Sequence, residues 1–315
     1  MVSIAQLVRA SDCGSEGRGF DPHCSPPVFF RVGACFCPDA SFFLDLYLMY
    51  LTDKDLHLKN ILDKAAGRIN LPSFADADPV QFPRRFSSQG DIEIASLLCA
   101  TLAWGKRSMI CRDCDRLLTM MYNQPEAFVR SGDFENLPDG NIHRTFFVAN
   151  LKHWLRGLRL VFGKYGSVEN YARHLDIASS PYPAAALAQG LNDAMCEANS
   201  GRSDSRCLPL NLETTALKRL NMALRWLVRD DGIVDMGIWK VISPAQLYIP
   251  LDVHVGRTAR ELGLLSRKAN DRRSVIELTE SLRRFDPDDP IRYDFALFGV
   301  GVEGSGLPDA EHGEN

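Results

Sequence analysis

Apolar residues recur every three or four positions from about residue 52 onward, which is the spacing of one helix face. The pattern predicts an opening helix that ends near Gly67 and a second helix that starts at Gly90. It also predicts helices over residues 109–121, 146–165 and 168–175, and a polar loop over residues 199–205. Alternating strand patterns and Asn-Gly hairpins are nearly absent, so we expect an all-α fold.

One amphipathic helix that opens at Lys218 has a distinctive arrangement of charge. At about 100° per residue its leucines form a core face, made of Leu217, Leu220, Leu224 and Leu227. Arg225 and Arg229 each fall within about 20° of Lys218, so three cations follow one edge beside that face. Such a stripe is either a solvated basic face or a cationic surface with a function. Lys218 is the candidate reactive amine.

The next predicted helix opens at an aspartate. An apolar run over residues 248–251 precedes Asp252, and Pro250 ends whatever element comes before it. The helix that follows has its apolar face at Val255, Ala259 and Leu262, and Gly263 ends it. Asp252 is therefore either a plain N-cap or a carboxylate with a chemical role, and its position alone is typical of a cap.

A tryptophan, a glycine and two cations interrupt the chain at residues 104–107. Trp104 offers a stacking face, Gly105 allows close backbone approach, and Lys106 and Arg107 supply charge for phosphates. This combination is suitable for a nucleic-acid groove. A core tryptophan followed by a glycine cap explains the same residues equally well.

The overall composition restricts the class of protein. The 315-residue chain has 45% hydrophobic and 24% charged residues, with a net charge of −4. These are ordinary globular values, so any nucleic-acid surface must be a local patch. Cys111 and Cys114 have CxxC spacing without a second CxxC or HxxxH pair, so we expect thiols rather than a metal site. No cofactor is expected.

The chain is expected to divide into a leader, a domain and a tail. Residues 5–10 and 19–22 read as a translated tRNA D-arm and T-arm, so residues 1–48 are interpreted as a disordered leader with a mis-assigned start. A genuine N-terminal arm is the alternative. The helical domain is expected over residues 49–303 and a disordered tail over 304–315. No signal peptide or membrane span is predicted, so we expect a cytoplasmic protein.

Several sequence blocks resemble a known family. The blocks are DPVQFPRRF, AWGKR, KRLNMALRW, PLDVHV and FDPDDPIRYDFALFGVG. They are similar to those of a bacterial domain-of-unknown-function family over about residues 53–303. Residues 249–257 also resemble the VDxHVxR segment of the helix-hairpin-helix (HhH-GPD) DNA glycosylases, which include endonuclease III. The resemblance implies a bilobal helical fold with a cleft between the lobes.

The resemblance also implies a function: base-excision DNA repair by a glycosylase or glycosylase/lyase. Lys218 would attack C1′ of the sugar and Asp252 would stabilise the developing charge. The implied nucleic-acid contacts are Trp104, Lys106, Arg107, Arg225, Arg229, His254 and Arg257, and the implied base pocket is formed by Trp226 and Trp239. The expected partner is damaged or abasic DNA, with RNA possible and no membrane. A non-catalytic DNA- or RNA-binding protein on the same fold is the alternative.

One segment departs from the superfamily pattern. Those glycosylases have a Leu-Pro-Gly-Val-Gly hairpin before the lysine, and its backbone amides bind a phosphate. Residues 211–217 contain no glycine here and include Glu213, whose charge would repel a phosphate. The sequence therefore weakens the case for a phosphate contact by backbone amides at this position.

Overall fold

The computed structural model describes residues 51–303, which are mostly helical, and the predicted all-α class is confirmed. The helices are α1 (Asp53–Ile69), α2 (Pro72–Ala77), α3 (Gln89–Leu102), α4 (Arg107–Met120), α5 (Pro125–Ser131), α6 (Val148–Tyr165), α7 (Val168–His174), α8 (Pro183–Ala198), α9 (Lys218–Val228), α10 (Val253–Glu261), α11 (Arg272–Arg283) and α12 (Asp294–Glu303). The predicted leader and tail, residues 1–48 and 304–315, lie outside the described residues.

One small hairpin interrupts the helices. Strands β1 (Asn141–His143) and β2 (Phe146–Phe147) pair antiparallel. The helix predicted from residue 146 therefore begins two residues later, because the two phenylalanines pair with β1. The hairpin packs against α4 and α6.

Helix α3 is the most enclosed element of the fold. Its sequence is apolar on all sides, and nearly all of its residues are buried. It packs against α4, α5 and α9. Ser88 caps it by accepting a hydrogen bond from the backbone N–H of Asp91. The packing of α9 on α3 fixes the position of Lys218, the first residue of α9.

A single carboxylate lies inside the apolar body of α3. Glu93 is fully buried and accepts hydrogen bonds from the backbone N–H groups of Val168 and Glu169, at the start of α7. It also accepts a hydrogen bond from the indole N–H of Trp239 at 2.9 Å. Burial raises the pKa of the Glu93 carboxyl. These bonds tie α7 and the long loop after α9 to the core.

The C-terminal helices form the other side of the fold. Helix α12 packs against both α1 and α10, and a 3-10 helix, Pro290–Tyr293, leads directly into it. Phe295 of α12 is 1% exposed, whereas Phe298 is half-buried and lines a cavity. No helix within residues 51–303 has the length and apolar character needed to cross a bilayer.

Candidate active site

A cavity of about 680 Å³ lies among the end of α3 and the starts of α9, α10 and α12. This volume is within the range of pockets that enclose small molecules and cofactors. Lys218 and Asp252, which the sequence singled out, both line it. Two further carboxylates, Asp78 and Asp294, line it with them. Its apolar walls include Phe74, Trp104, Ile110, Met222, Phe295 and Phe298.

Lys218 opens α9 in the way the sequence predicted. The preceding residue, Leu217, has a left-handed backbone with φ of 51°, which is uncommon for a residue other than glycine. No side chain caps this helix start. Among residues 51–303 the Lys218 ammonium group has no hydrogen-bond or ion-pair partner. Its amine is therefore available to a ligand in the cavity.

Asp252 caps α10, and it does so with one oxygen. Its Oδ1 accepts hydrogen bonds from the backbone N–H groups of His254 and Val255, at 2.9 and 3.0 Å. Its Oδ2 has no hydrogen-bond partner within residues 51–303. The side-chain amide of Asn270 donates to the Asp252 backbone carbonyl at 3.1 Å, which fixes the residue further. The capping role and a chemical role are therefore compatible in one carboxylate.

The two additional carboxylates have perturbed acidity. Burial raises the pKa of the Asp78 carboxyl, although the nearby charge of Arg225 opposes the rise. Burial likewise raises the pKa of the Asp294 carboxyl to about 6, although Arg225 opposes the rise. The charge of Asp252 adds to the rise at Asp294. The cavity therefore contains a carboxyl group that can exchange a proton near neutral pH.

The aromatic wall of the cavity is built from separate parts of the chain. The ring of Phe74 contacts the rings of Phe295 and Phe298 edge to face, with centroids 5.4 and 6.3 Å apart. The guanidinium of Arg107 lies over Phe74 and Phe298, at 5.6 and 5.3 Å from their centroids. Arg107 is thus held at the cavity wall by its contacts with these rings.

Trp104 is held in place by the β-hairpin. The fully buried His143 donates from Nε2 to the Trp104 carbonyl at 2.9 Å, and its Nδ1 lies 2.7 Å from Oδ2 of Asp113. The guanidinium of Arg144, at the hairpin turn, stacks on the indole ring at 4.4 Å from its centroid. Trp104 itself is half-buried and lines the cavity, so it is a wall residue rather than a core tryptophan.

The predicted cationic stripe on α9 requires a correction. Arg225 and Arg229 are 4% and 7% exposed, and both are enclosed by carboxylates. Arg225 pairs with Asp235 and Asp294. The partners of Arg229 are Asp231, Asp235 and Asp289, at 2.5, 2.9 and 2.8 Å. These arginines are committed to internal ion pairs, because the segments after α9 and before α12 fold back over them. Arg225 lines the cavity with its charge already paired to Asp235 and Asp294, whereas Arg229 does not line it.

The predicted base pocket also requires a correction. Trp226 and Trp239 are 0% and 1% exposed, and neither lines the cavity. Trp226 is enclosed in the core on the buried face of α9, and the indole of Trp239 is committed to Glu93. Their apolar surface is used for packing, so the walls of the cavity come from other aromatic residues.

The other predicted nucleic-acid residues lie in or around the cavity. Arg107 and His254 line it. Lys106 and Arg257 are exposed and do not line it. Arg257 is 3.9 Å from Glu261, one turn further along α10.

Sequence reasoning missed three polar residues of this region: Asp78, Arg144 and Asp294. Asp78 and Asp294 lie within the quoted blocks DPVQFPRRF and FDPDDPIRYDFALFGVG, so the blocks themselves were the available signal. Arg144 gave no signal, because only the hairpin brings it onto Trp104.

The described residues thus form a helical protein with a cavity that joins a lysine, three carboxylates and an aromatic wall. The chain belongs to the family described as Protein of unknown function (DUF2400), whose sequence model matches residues 78–303. That match includes every residue that lines the cavity except Phe74. Comparisons with curated proteins and with solved structures found no match.

Proposed function

We propose that this protein is a base-excision DNA glycosylase, or glycosylase/lyase, that uses Lys218 as its nucleophile and Asp252 as its charge-stabilising carboxylate. The observation that supports it most is the shared cavity. The Lys218 amine and one oxygen of the Asp252 carboxylate, neither of which has a hydrogen-bond partner among residues 51–303, both line it. The proposal includes the HhH-GPD relationship and the bilobal fold with a cleft, which the sequence resemblance implies.

The proposed reaction displaces a base from deoxyribose. The neutral Lys218 amine attacks C1′, the bond from C1′ to the base nitrogen breaks, and the base leaves with the bonding electrons and takes a proton from water. Asp252 Oδ2 stabilises the positive charge that develops on the sugar and accepts one proton from the ammonium that forms at Lys218. The lone pair of that nitrogen then breaks the bond from C1′ to O4′, O4′ takes the proton back from Asp252, and the opened sugar is held as a Schiff base between Lys218 and C1′. Asp294, with a pKa of about 6, is a second proton acceptor in the same cavity.

The aromatic wall supports binding of a displaced base. A base that leaves the helix stack requires flat apolar surfaces in its pocket. Phe74, Trp104 and Phe298 supply such surfaces in the cavity that Lys218 also lines. Lys106 and Arg144 are exposed cations beside Trp104, and each is suited to a phosphate of the strand.

Borohydride trapping tests the proposal. Wild-type protein, Lys218→Gln and Lys64→Gln are each incubated with a panel of damaged and abasic oligonucleotides in the presence of borohydride. Lys64 is an exposed lysine of α1 that does not line the cavity, so it is the matched control. We expect adducts with wild type and Lys64→Gln and none with Lys218→Gln. Adducts that persist in Lys218→Gln would contradict the proposal.

A non-catalytic nucleic-acid-binding protein is the second candidate. The stack of Arg144 on Trp104 favours it, because an exposed cation and a ring beside Lys106 can bind a strand without any reaction. If no oligonucleotide gives an adduct or a released base, yet several bind, this second function is the correct one.

A further inference from the structure

Arg219 lies between two cavities. Besides the main cavity, it lines a second one of about 300 Å³, together with Lys218 and Asn270. The second cavity is mostly apolar, with walls that include Leu97, Ala100, Trp154, Leu208, Leu220 and Ala223. No aspartate or glutamate among the described residues lines it. The guanidinium is thus the charged group at the junction, beside the amine of Lys218.

The charge of Arg219 has no counter-ion in the part of the chain that the structure describes. No carboxylate of residues 51–303 forms an ion pair with it. Its one hydrogen bond runs from Nη1 to the backbone carbonyl of Thr101, at 2.7 Å. Burial lowers the pKa of the Arg219 guanidinium, which is the opposite of what a carboxylate partner would do. A largely enclosed guanidinium without a carboxylate is costly unless an anion from outside pairs with it.

We infer that Arg219 binds a phosphate group of the ligand that occupies the main cavity. Arginine presents a planar fork of donors that matches two oxygens of a phosphate, and within residues 51–303 only Nη1 of this fork has a hydrogen-bond partner. The inference rests on the proposed function for the carrier of that phosphate, which is the strand that holds the reacting nucleotide. Arg219 would then position C1′ against its sequence neighbour, Lys218. A free nucleotide presents the same phosphate chemistry.

A structural role is the competing explanation. Thr101 is in the last turn of α3, where backbone carbonyls lack helical partners, so an arginine there can act as a C-terminal cap. Such a cap would affect stability but not the response to phosphate. The experiment must therefore measure binding and stability in the same variants.

The test compares wild type, Arg219→Gln, Arg219→Lys and the control Arg202→Gln. Arg202 is exposed and lines neither cavity. One arm measures the thermal midpoint with inorganic phosphate and with deoxyadenosine monophosphate. The other measures the affinity of a labelled oligonucleotide that contains a non-cleavable abasic analogue. A neutral methylphosphonate linkage is then placed at each phosphate beside the analogue in turn.

We expect one linkage whose neutralisation weakens wild-type binding roughly 10- to 100-fold, the range for a hydrogen-bonded charge. Arg219→Gln should bind the unmodified oligonucleotide more weakly by the same factor. It should show no further loss of affinity with that neutral linkage, because both changes remove the same contact. The slope of log affinity against log salt should fall by about 1 in Arg219→Gln. Arg219→Lys should keep part of the affinity, and Arg202→Gln should behave as wild type.

The results also separate this inference from the proposed function. If the mononucleotide or phosphate alone shifts the thermal midpoint of wild type but not of Arg219→Gln, Arg219 does bind phosphate and its ligand is a free nucleotide. This conclusion holds whatever borohydride trapping shows. Equal affinity of wild type and Arg219→Gln for every probe would overturn the inference. The inference would also be overturned if Arg219→Gln and the neutral linkage had additive effects on affinity at every linkage, or if no probe bound wild type. A further contradicting result is a lower thermal midpoint in Arg219→Gln with the same shift on addition of phosphate as in wild type.

Discussion

The two ends of α9 treat their cations in opposite ways. At its C-terminal end Arg225 and Arg229 are buried, and together they contact four carboxylates. At its N-terminal end Lys218 and Arg219 have no carboxylate partner within residues 51–303, although they line the same cavity as the paired Arg225. Lys218 and the two paired arginines are all cations, and they lie along the same stripe of the same helix.

The comparison shows that pairing, rather than position on the helix, separates structural cations from candidate functional ones. A buried charge is tolerated when it is paired and hydrogen-bonded, and the arginine cluster meets that condition within the protein. Lys218 and Arg219 gain a partner for their charge only when a ligand supplies an anion or a reacting atom. Substitutions at the two ends of α9 and in the cavity should therefore have different effects on stability and activity.

The largest effect is expected from removal of a paired arginine. Arg229→Met leaves Asp231 and Asp289 without an ion-pair partner among residues 51–303, and Asp235 keeps only Arg225. Breaking a buried ion pair costs about 3–5 kcal/mol of unfolding free energy. The matched variant Lys218→Met breaks no internal pair, so it should change stability by less than about 0.5 kcal/mol. Urea unfolding of both variants measures this. If Arg229→Met and Lys218→Met lowered the free energy of unfolding equally, the two ends of α9 would not differ in the pairing of their cations.

A second pair of variants compares two rings of α12. Phe295 is buried beneath the guanidiniums of Arg225 and Arg229, at 4.5 and 5.6 Å from its centroid, whereas Phe298 is half-buried in the cavity wall. Phe295→Ala should cost about 3–5 kcal/mol, and Phe298→Ala should cost clearly less. A large loss for Phe298→Ala in thermal unfolding would assign that ring to the core instead of the site.

The pH dependence of stability tests the acidity of Asp294. Its folded pKa of about 6 exceeds the ordinary value of 3.8. The protonated form therefore contributes stability that is complete below the unfolded pKa and is lost as pH rises through about 6. Between about pH 4 and pH 7, wild type should lose about 2 kcal/mol relative to Asp294→Asn, which is most of the effect of a shift from 3.8 to about 6 at about 1.36 kcal/mol per pKa unit. A constant difference between the two proteins across this range would show that Asp294 has ordinary acidity.

The smallest effect on stability is expected at Asp252. Asp252→Asn keeps Oδ1 as the helix cap and replaces only the unpartnered oxygen, so it should cost at most about 1 kcal/mol. It should nevertheless slow base release by a factor of about 100 or more, because it removes the carboxylate charge from the cavity. Asp271→Asn is a control, since Asp271 caps α11 and does not line the cavity. Unchanged base release would reduce Asp252 to a cap.

The helices of this protein follow from local sequence. Periodicity and capping residues placed the start of α9 at Lys218 and the cap of α10 at Asp252, and both are observed. These features depend on neighbours within a few residues, which is why a single sequence contains them. The sequence resemblance then brought Lys218 and Asp252 together, and the cavity does contain both.

The burial of the α9 arginines could not be predicted in that way. Periodicity showed that Arg225 and Arg229 share an edge with Lys218, but it could not show what packs against that edge. Their partners Asp289 and Asp294 are more than 50 residues away and reach them only through the packing of α12 and the preceding turn. The contact of Arg144 with Trp104 could not be predicted either, because only the folded hairpin brings the two residues together.

Mapping of the trapped cross-link tests the central claim most directly. Wild-type protein is reduced with borohydride on the best oligonucleotide substrate, digested, and analysed by mass spectrometry for the peptide that carries the sugar remnant. We predict one modified lysine, Lys218, with no modification at the exposed Lys106 beside the cavity. A remnant on Lys106 or on any other residue, with Lys218 unmodified, would show that Lys218 is not the nucleophile.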